Sequence, residues 1–377
     1  MLIGIDLLWV RTGKCGGTES YARNLLNGIG KYDSDNEYIL FVAKDNADSF
    51  AEFNRYTNMQ IVTCPVNSAN QGIRILWENL HLNRFVMRHN VNLMFIPVYS
   101  KPFTFGSRIP YITVIHDLQG LHYPEYFSKY RLWFFKFEWW HSTKTSRHIV
   151  AISNYGKDDL IQRYPWVKGK ISTIYNPILS QKSDVEFGLL ARKYNIKAEE
   201  YFYCVSSMLP HKNLKTILEV VALLKEKGYS IPLVVSGVGG NVADFQRSVQ
   251  KLGISDIVIN TGFVSDGERD CLYENCKLFL FPSIFEGFGM PPIEAMRKGK
   301  QVVTTTKTCM QEVTGGKAVY VNEPFDLNEW IEKIEYAMTL PECIQGFEQY
   351  SLEKSSRAFI ELFQTVLKNK GKGTGGQ

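Results

Sequence analysis

The sequence predicts an α/β protein made of two doubly wound, Rossmann-like halves. Three observations predict it. Short apolar runs alternate with helix-patterned segments along the 377-residue chain. That alternation stops at a polar stretch, residues 176–186, and then restarts. The length suits roughly two domains of ordinary size.

The elements follow in order. Ile3–Ile5, Tyr38–Val42, Gln60–Thr63, Leu93–Ile96 and Tyr111–Ile115 are apolar runs of strand length. Ser20–Ile29 and Trp77–His89 carry apolar residues at helical spacing. After the polar stretch, Tyr201–Val205, Leu233–Ser236, Ile257–Asn260, Leu278–Phe281 and Gln301–Thr304 read as strands. Lys215–Lys227, Ile293–Lys298 and Leu327–Leu340 read as helices. Strands alternating with helices imply parallel sheet with helical crossovers. Ligands of such sheets collect at the carboxyl ends of the strands, and two facing halves form a cleft. The glycine-rich end, KNKGKGTGGQ, reads as a disordered tail.

Composition narrows the class. An apolar fraction of 45% and a charged fraction of 21% are those of a soluble globular chain. A net charge of +5 with scattered cations does not argue for nucleic acid, but suits anionic ligands. The start, MLIGID, lacks a signal-peptide pattern, and no run of about 18 apolar residues suggests a membrane span. The seven cysteines (Cys15, Cys64, Cys204, Cys271, Cys276, Cys309 and Cys343) are dispersed, which fits reduced thiols in a cytoplasm.

Candidate anion-binding loops sit where strands end. Gly16-Gly17 lies between the first strand and first helix, where backbone amides and a helix N-terminus can meet a phosphate. Thr18 could cap that helix, the plainer reading of the same turn. Ser206–Asn213 follows another strand and places Lys212 where a diphosphate could sit. Ser236–Gly240 is not a dinucleotide fingerprint, since Val242 stands where the last glycine belongs, and there is no Walker A sequence. Redox and P-loop chemistry lose their main signatures.

The segment Phe281–Glu294 carries most. Gly287 and Gly289 free its backbone, and Pro291 and Pro292 suit a helix's first turn. Glu294 is expected in that first turn, with Glu286 ahead of the loop. Two carboxylates flanking a glycine loop can bind sugar hydroxyls. A tight turn followed by a dipole-stabilising glutamate would look the same.

This segment resembles the E-x7-E signature of the family 4 glycosyltransferases, which have the GT-B fold. Ser206–Asn213 resembles their S-x-x-P-R-K-N segment, Val114–Asp117 their T-x-x-H-D strand end, and Gly16-Gly17 their N-terminal glycine loop. Ala151–Asn154 resembles their A-x-S strand before the linker, and Thr261–Val264 their G-x-V strand end. The motifs occur in family order from residue 1 to about 367.

The resemblance implies residue roles. Glu294 would bind the donor ribose and Glu286 the transferred sugar. The amides of Phe288 and Gly289, with Met290 beside them, would meet sugar or phosphate. Lys212 and His211 would lie at the diphosphate. Gly16 and Gly17 would approach the phosphate from the other domain. His116 would contact the sugar and could act as acid or base, and Val264 would lie by the nucleobase. Glu286, His116 and Lys212 are thus the expected catalytic residues. The family usually has arginine before the lysine, whereas this chain has His211, which bears on diphosphate affinity and its pH dependence.

The resemblance further implies GT-B domains at residues 1–178 (acceptor) and 179–350 (nucleotide sugar). A helix at 351–368 would pack back on the first domain, leaving 369–377 as the tail. It implies retention at the anomeric carbon and no bound metal or other cofactor. The one D-x-D, Asp33-Ser34-Asp35, reads as a solvated turn. A GDP-mannose-like donor is favoured, with a UDP-sugar next.

The stretch Tyr130–His141 is unusually aromatic. On a helix Leu132, Phe135 and Trp139 share a face, which Trp133, Phe137 and Trp140 widen, with Arg131, Lys136 and Glu138 elsewhere. It reads as a buried amphipathic helix, or as a peripheral membrane contact receiving a lipid-linked acceptor. The preceding Leu121–Glu125 resembles the loop after H-D in bacterial mannosyl- and rhamnosyltransferase-like members, which implies a hexosyltransferase of surface polysaccharide synthesis, in the cytoplasm or at the inner face of the cell membrane. A GT-B epimerase, a phosphorylase and a non-catalytic sugar-nucleotide-binding protein are the alternatives.

Overall fold

A computed structural model describes residues 1–103, 109–179, 183–240, 242–342 and 346–372. The chain forms two units: Met1–Leu179 with the described residues from Glu348 on, and Ser180–Phe347. Each is built on its own parallel sheet.

The first sheet has seven strands in the order β3-β2-β1-β4-β5-β6-β7. They are β1 (Leu2–Asp6), β2 (Glu37–Ala43), β3 (Met59–Cys64), β4 (Leu93–Ile96), β5 (Tyr111–Ile115), β6 (His148–Ala151) and β7 (Ile171–Thr173). Tyr38–Ala43 is buried at every position, as expected of a strand covered by helices on both faces. The first helix, Gly17–Tyr32, buries Tyr21, Leu25, Leu26 and Ile29 at the spacing of one helical face. Its cap is Gly16 at φ 53°, so Thr18 lies inside the helix and does not cap it, contrary to expectation. Asp33 closes this helix. It is buried, accepting hydrogen bonds from the Tyr38 hydroxyl, from Asn36 Nδ2 at 2.7 Å and from the Asp35 amide at 3.0 Å. The D-x-D is a turn, but its first aspartate is an interior hub and not solvated.

The helix expected at Trp77–His89 starts earlier. Gln71–Trp77 runs into a π-helical turn, Glu78–Leu82, and on into Asn83–Arg88. The aromatic stretch is helical from Lys129 to Thr145, capped by Ser128. Its faces differ from the expected ones. Glu138 is buried beside Trp139, whereas Trp133 and Trp140 are exposed. The polar interior it joins contains Arg74 and Glu78, paired at 2.6 Å.

The last helix, Leu352–Lys372, belongs to the first unit and packs on Gly17–Tyr32. A Cβ on Gly28 would lie 1.8 Å from Ser356 Oγ, so this close approach requires glycine. Phe359 and Phe363 meet Phe95 edge-on, with ring centroids 5.2 and 5.4 Å apart. Residues 369–372, expected in the disordered tail, are helical; 373–377 lie outside the described residues, as does Cys343.

The second sheet has the order β10-β9-β8-β11-β12-β13. Its strands are β8 (Phe202–Val205), β9 (Leu233–Ser236), β10 (Val258–Gly262), β11 (Leu278–Phe281), β12 (Val302–Thr305) and β13 (Val319–Val321). The helix Leu214–Glu226 covers one face with Ile217, Leu218, Val221 and Leu224. Winding runs outward in opposite directions from β8 and β11. The carboxyl ends of these two neighbours are therefore the switch-point crevice of the sheet.

Candidate active site

Two loops meet at that crevice. The loop after β8 ends in a single 3₁₀ turn, Pro210–Lys212. Asn213 closes it in the left-handed region, φ 51°, and its side chain donates to the Pro324 carbonyl at 3.0 Å. This fixes where Lys212 starts. The loop after β11 carries Glu286. The Ile284 amide donates to the His211 carbonyl at 2.9 Å, tying the two loops together.

Their side chains meet as well. Lys212 Nζ donates to Glu286 Oε1 at 2.6 Å, and both remain partly open to solvent, at 26% and 14% of the side chain. The sequence separates them by 74 residues; the switch point brings them together.

Glu286 is held from behind by residues that sequence reasoning missed. Its amide donates to Thr308 Oγ1 at 3.3 Å. The buried Cys309 thiol lies 3.2 Å from both the Glu286 and Phe288 carbonyls. Thr308 has φ 54°, a conformation that side-chain-bearing residues adopt at some expense. Nothing in the local pattern of Thr308-Cys309 signals this, because the contacts span over 20 residues of chain. The Ser283 hydroxyl, at the foot of the same loop, is buried with no hydrogen-bond partner among the described residues.

Gly289 ends the loop at φ 86° and caps the helix Met290–Arg297. A Cβ there would stand 2.4 Å from Met310 Cε. Phe288 is buried and Met290, the first helical residue, is partly buried. Glu294 is the fifth residue of this helix, so it lies beyond the first turn where it was expected. The N-terminal dipole therefore does not account for it. Its carboxylate accepts from the Tyr273 hydroxyl at 3.0 Å and lies 3.7 Å from Arg269 Nε.

His211 is neutral near pH 7. Burial, with the Lys212 charge beside it, pushes its pKa down to about 4. Further along the same sheet edge, the Gly237 amide donates to the Gly262 carbonyl at 2.8 Å. Val264 follows, partly buried, beside the exposed Phe263. The Phe263 ring covers Gly239, where any Cβ would overlap it.

His116, Gly16 and Gly17 belong to the first unit. His116 follows β5, packs edge-on against Tyr21 at 4.8 Å, and shares a 2.8 Å hydrogen bond with the Pro97 carbonyl. A carbonyl only accepts, so the proton sits on Nε2 and Nδ1 is the ring's acceptor. Burial pushes the His116 pKa down to about 4. The glycine loop is ordered by Glu19, which accepts from the Gly13 amide at 2.9 Å and from Arg23 Nε at 3.0 Å. Among the described residues, no three His, Cys, Asp or Glu side chains gather in a way that could hold a metal ion.

Two parallel-sheet α/β units with this loop pair define a GT-B glycosyltransferase architecture. Residues 15–181 match the model described as Glycosyltransferase Family 4, and residues 189–354 that described as Glycosyl transferases group 1. Each half of the chain thus matches a glycosyltransferase family model, the first that of Family 4. Among relatives, it is 31% identical over 236 residues to the O-antigen chain mannosyltransferase RfbU of Salmonella typhimurium, covering 63% of either chain. It is 28% identical over 222 residues to O-antigen chain mannosyltransferase B of Escherichia coli, covering 58% of either chain. The matches thus span less than two thirds of those relatives' own length. Among solved structures, HepE of Anabaena in complex with UDP and glucose superimposes with a TM-score of 0.70 at 18% identity, covering 97% of this chain and all of that one. A glycosyltransferase of Rickettsia africae gives 0.73 at 17% identity, covering 98% and 99%. At such identities these structures speak for the fold alone.

Proposed function

We propose that this protein transfers a hexose from a nucleotide-diphosphate sugar to a glycan or lipid-linked acceptor, with retention at the anomeric carbon and without a metal ion. The observation that carries this reading is the Lys212–Glu286 pair at the switch point of the second sheet, in a chain whose halves match glycosyltransferase family models. The mannosyltransferase names of the relatives favour a GDP-mannose-like donor and a role in surface polysaccharide synthesis, with a UDP-sugar next.

In the reaction, the bond from the anomeric carbon to the diphosphate oxygen breaks, and the diphosphate leaves with the electron pair. Lys212 neutralises that growing charge, as a preorganised cation does best in a partly dry site. The acceptor oxygen attacks from the same face, and its proton passes to the departing phosphate oxygen. Glu286 holds the transferred sugar, and Glu294 the ribose. His116, neutral and with Nδ1 as acceptor, orders the sugar or takes up a proton. His211, Val264, Phe288, Gly289 and Met290 complete the donor site, and Gly16-Gly17 approach the phosphate. The reaction takes place in the cytoplasm, with the lipid-linked acceptor met at the inner face of the cell membrane and residues 130–141 as a peripheral contact. No described helix is long and apolar enough to cross a membrane.

The test is a screen of GDP-, UDP- and dTDP-sugars in EDTA. One of them should raise the melting temperature and be hydrolysed slowly. If none binds, the assignment fails. Glu286→Gln should lower transfer by about a thousandfold while changing nucleotide affinity by less than about tenfold. Full activity in that variant would remove Glu286 from the reaction.

A further inference from the structure

The exposed large apolar side chains of the first unit, Met1 aside, are not scattered. Among the described residues they fall on two helices and one adjoining turn. On the helical run 71–88, Ile73, Leu76, Leu80 and Met87 are 43–65% exposed, at the three-, four- and seven-residue steps of a single face. On the helix Lys129–Thr145, Tyr130, Trp133 and Trp140 are 90%, 70% and 46% exposed, again at the steps of one face. Trp166 continues it, with Lys144 Nζ 4.0 Å above its ring.

The two helices are neighbours. The Phe103 amide donates to Asn79 Oδ1 on the first at 2.7 Å. The Phe103 ring lies 5.8 Å from Phe137 and 4.4 Å from His141 on the second. Monomeric proteins seldom expose apolar rows of this extent without a use for them.

The charges identify the occupant. The solvent-facing ionic groups of the two helices are Arg84, Arg88, Lys129, Arg131, Lys136 and Lys144, all cations. Their only carboxylates, Glu78 and Glu138, are buried in the polar interior. A second copy of the same face would bring these cations against their like. A surface of anionic headgroups over acyl chains matches both properties: it draws the cations, accepts leucine, isoleucine and methionine below the headgroups, and holds tryptophan and tyrosine at the boundary.

We propose that helices 71–88 and 129–145 together form a docking face by which this protein lies on an anionic membrane surface. The face extends beyond the aromatic stretch alone, and its energetically decisive row is Ile73, Leu76, Leu80 and Met87. It needs no donor and no acceptor, so it stands or falls separately from the transferase reading.

The test is sedimentation of the whole chain with sucrose-loaded vesicles, without any nucleotide. Vesicles of phosphatidylcholine with about 30% phosphatidylglycerol should carry the protein down, and phosphatidylcholine alone should not. Raising salt from about 0.1 M to about 0.5 M should weaken binding severalfold, since the headgroup attraction is screened. The double variant Leu76→Gln/Leu80→Gln should lose about tenfold in partitioning, as should Trp133→Gln. Leu189→Gln, an exposed leucine of the second unit, should bind like the unaltered protein. All these side chains are exposed, so melting temperatures should agree and show that the variants fold. Failure to bind anionic vesicles, equal binding to neutral ones, or salt-sensitive self-association in place of vesicle binding would overturn the proposal. Unchanged binding of the leucine double variant would overturn the two-helix face. Donor hydrolysis in the screen above reads the transferase function independently of every one of these results.

Discussion

Lys212 Nζ donates to its carboxylate partner, Glu286, at 2.6 Å. Its three donors can serve Glu286 and a phosphate together, so the pair orients the cation without neutralising it for good. The neighbour, His211, is a different matter. With a pKa near 4 it is uncharged at neutral pH, so it lends a diphosphate no charge there. His211→Gln should therefore bind a nucleoside diphosphate within about threefold of the unaltered protein at pH 7.5, whereas His211→Arg should tighten binding by about tenfold. Titration calorimetry at that pH checks both. A loss of tenfold or more in His211→Gln would mean the ring is charged in the complex. At this scale the sequence singled out Lys212 and Glu286, 74 residues apart, and the structure pairs them. The sequence was silent on Thr308 and Cys309, whose hold on the loop depends on β11 and β12 being neighbours.

At the scale of elements, the turn into the helix Met290–Arg297 concentrates constraint. Gly289→Ala must take a left-handed conformation at about 1–2 kcal/mol and push its methyl into Met310. The melting temperature of the second unit should fall by about 5 °C or more. Adding Met310→Ala should relieve only the steric part, a coupling that a double-mutant cycle of melts measures. Simple addition of the two single losses in the double variant would mean no steric part exists. The helix Lys129–Thr145 offers a second measurement. Burial raises Glu138 from 4.5 to about 7, against the opposing charges of Arg74 and Lys101. The folded state therefore keeps its proton to a higher pH than the unfolded one. The stability this contributes is present below pH 4.5 and is lost as pH rises through about 7. Glu138→Gln should match the unaltered protein at about pH 5 and exceed it by about 1–3 kcal/mol at pH 8, by denaturant melts. A difference independent of pH would assign Glu138 another role. Strands were the most legible elements, because burial on both faces leaves unbroken apolar runs such as Leu278–Phe281. The three-residue strands β7 and β13 were too short to show a pattern. The faces of the aromatic helix could not be read from apolarity, since a buried glutamate and exposed tryptophans invert the usual rule.

At the scale of the whole molecule, the order of the chain and the order of its units differ. The second unit is one continuous stretch, Ser180–Phe347, whereas the first is completed by residues from Glu348 on. Phe359 and Phe363 are fully buried there, against Phe95 of β4 and, for Phe363, Tyr38 of β2. A ribosome releases these segments in sequence, amino end first. The seven-stranded sheet thus emerges early but must wait, with part of its core uncovered, while the whole second unit is made. The later unit can close first. The first then finishes only when the helix Leu352–Lys372 has been made and docks beside Gly28, so a segment synthesised after the whole second unit decides when the seven-stranded sheet is safe from aggregation.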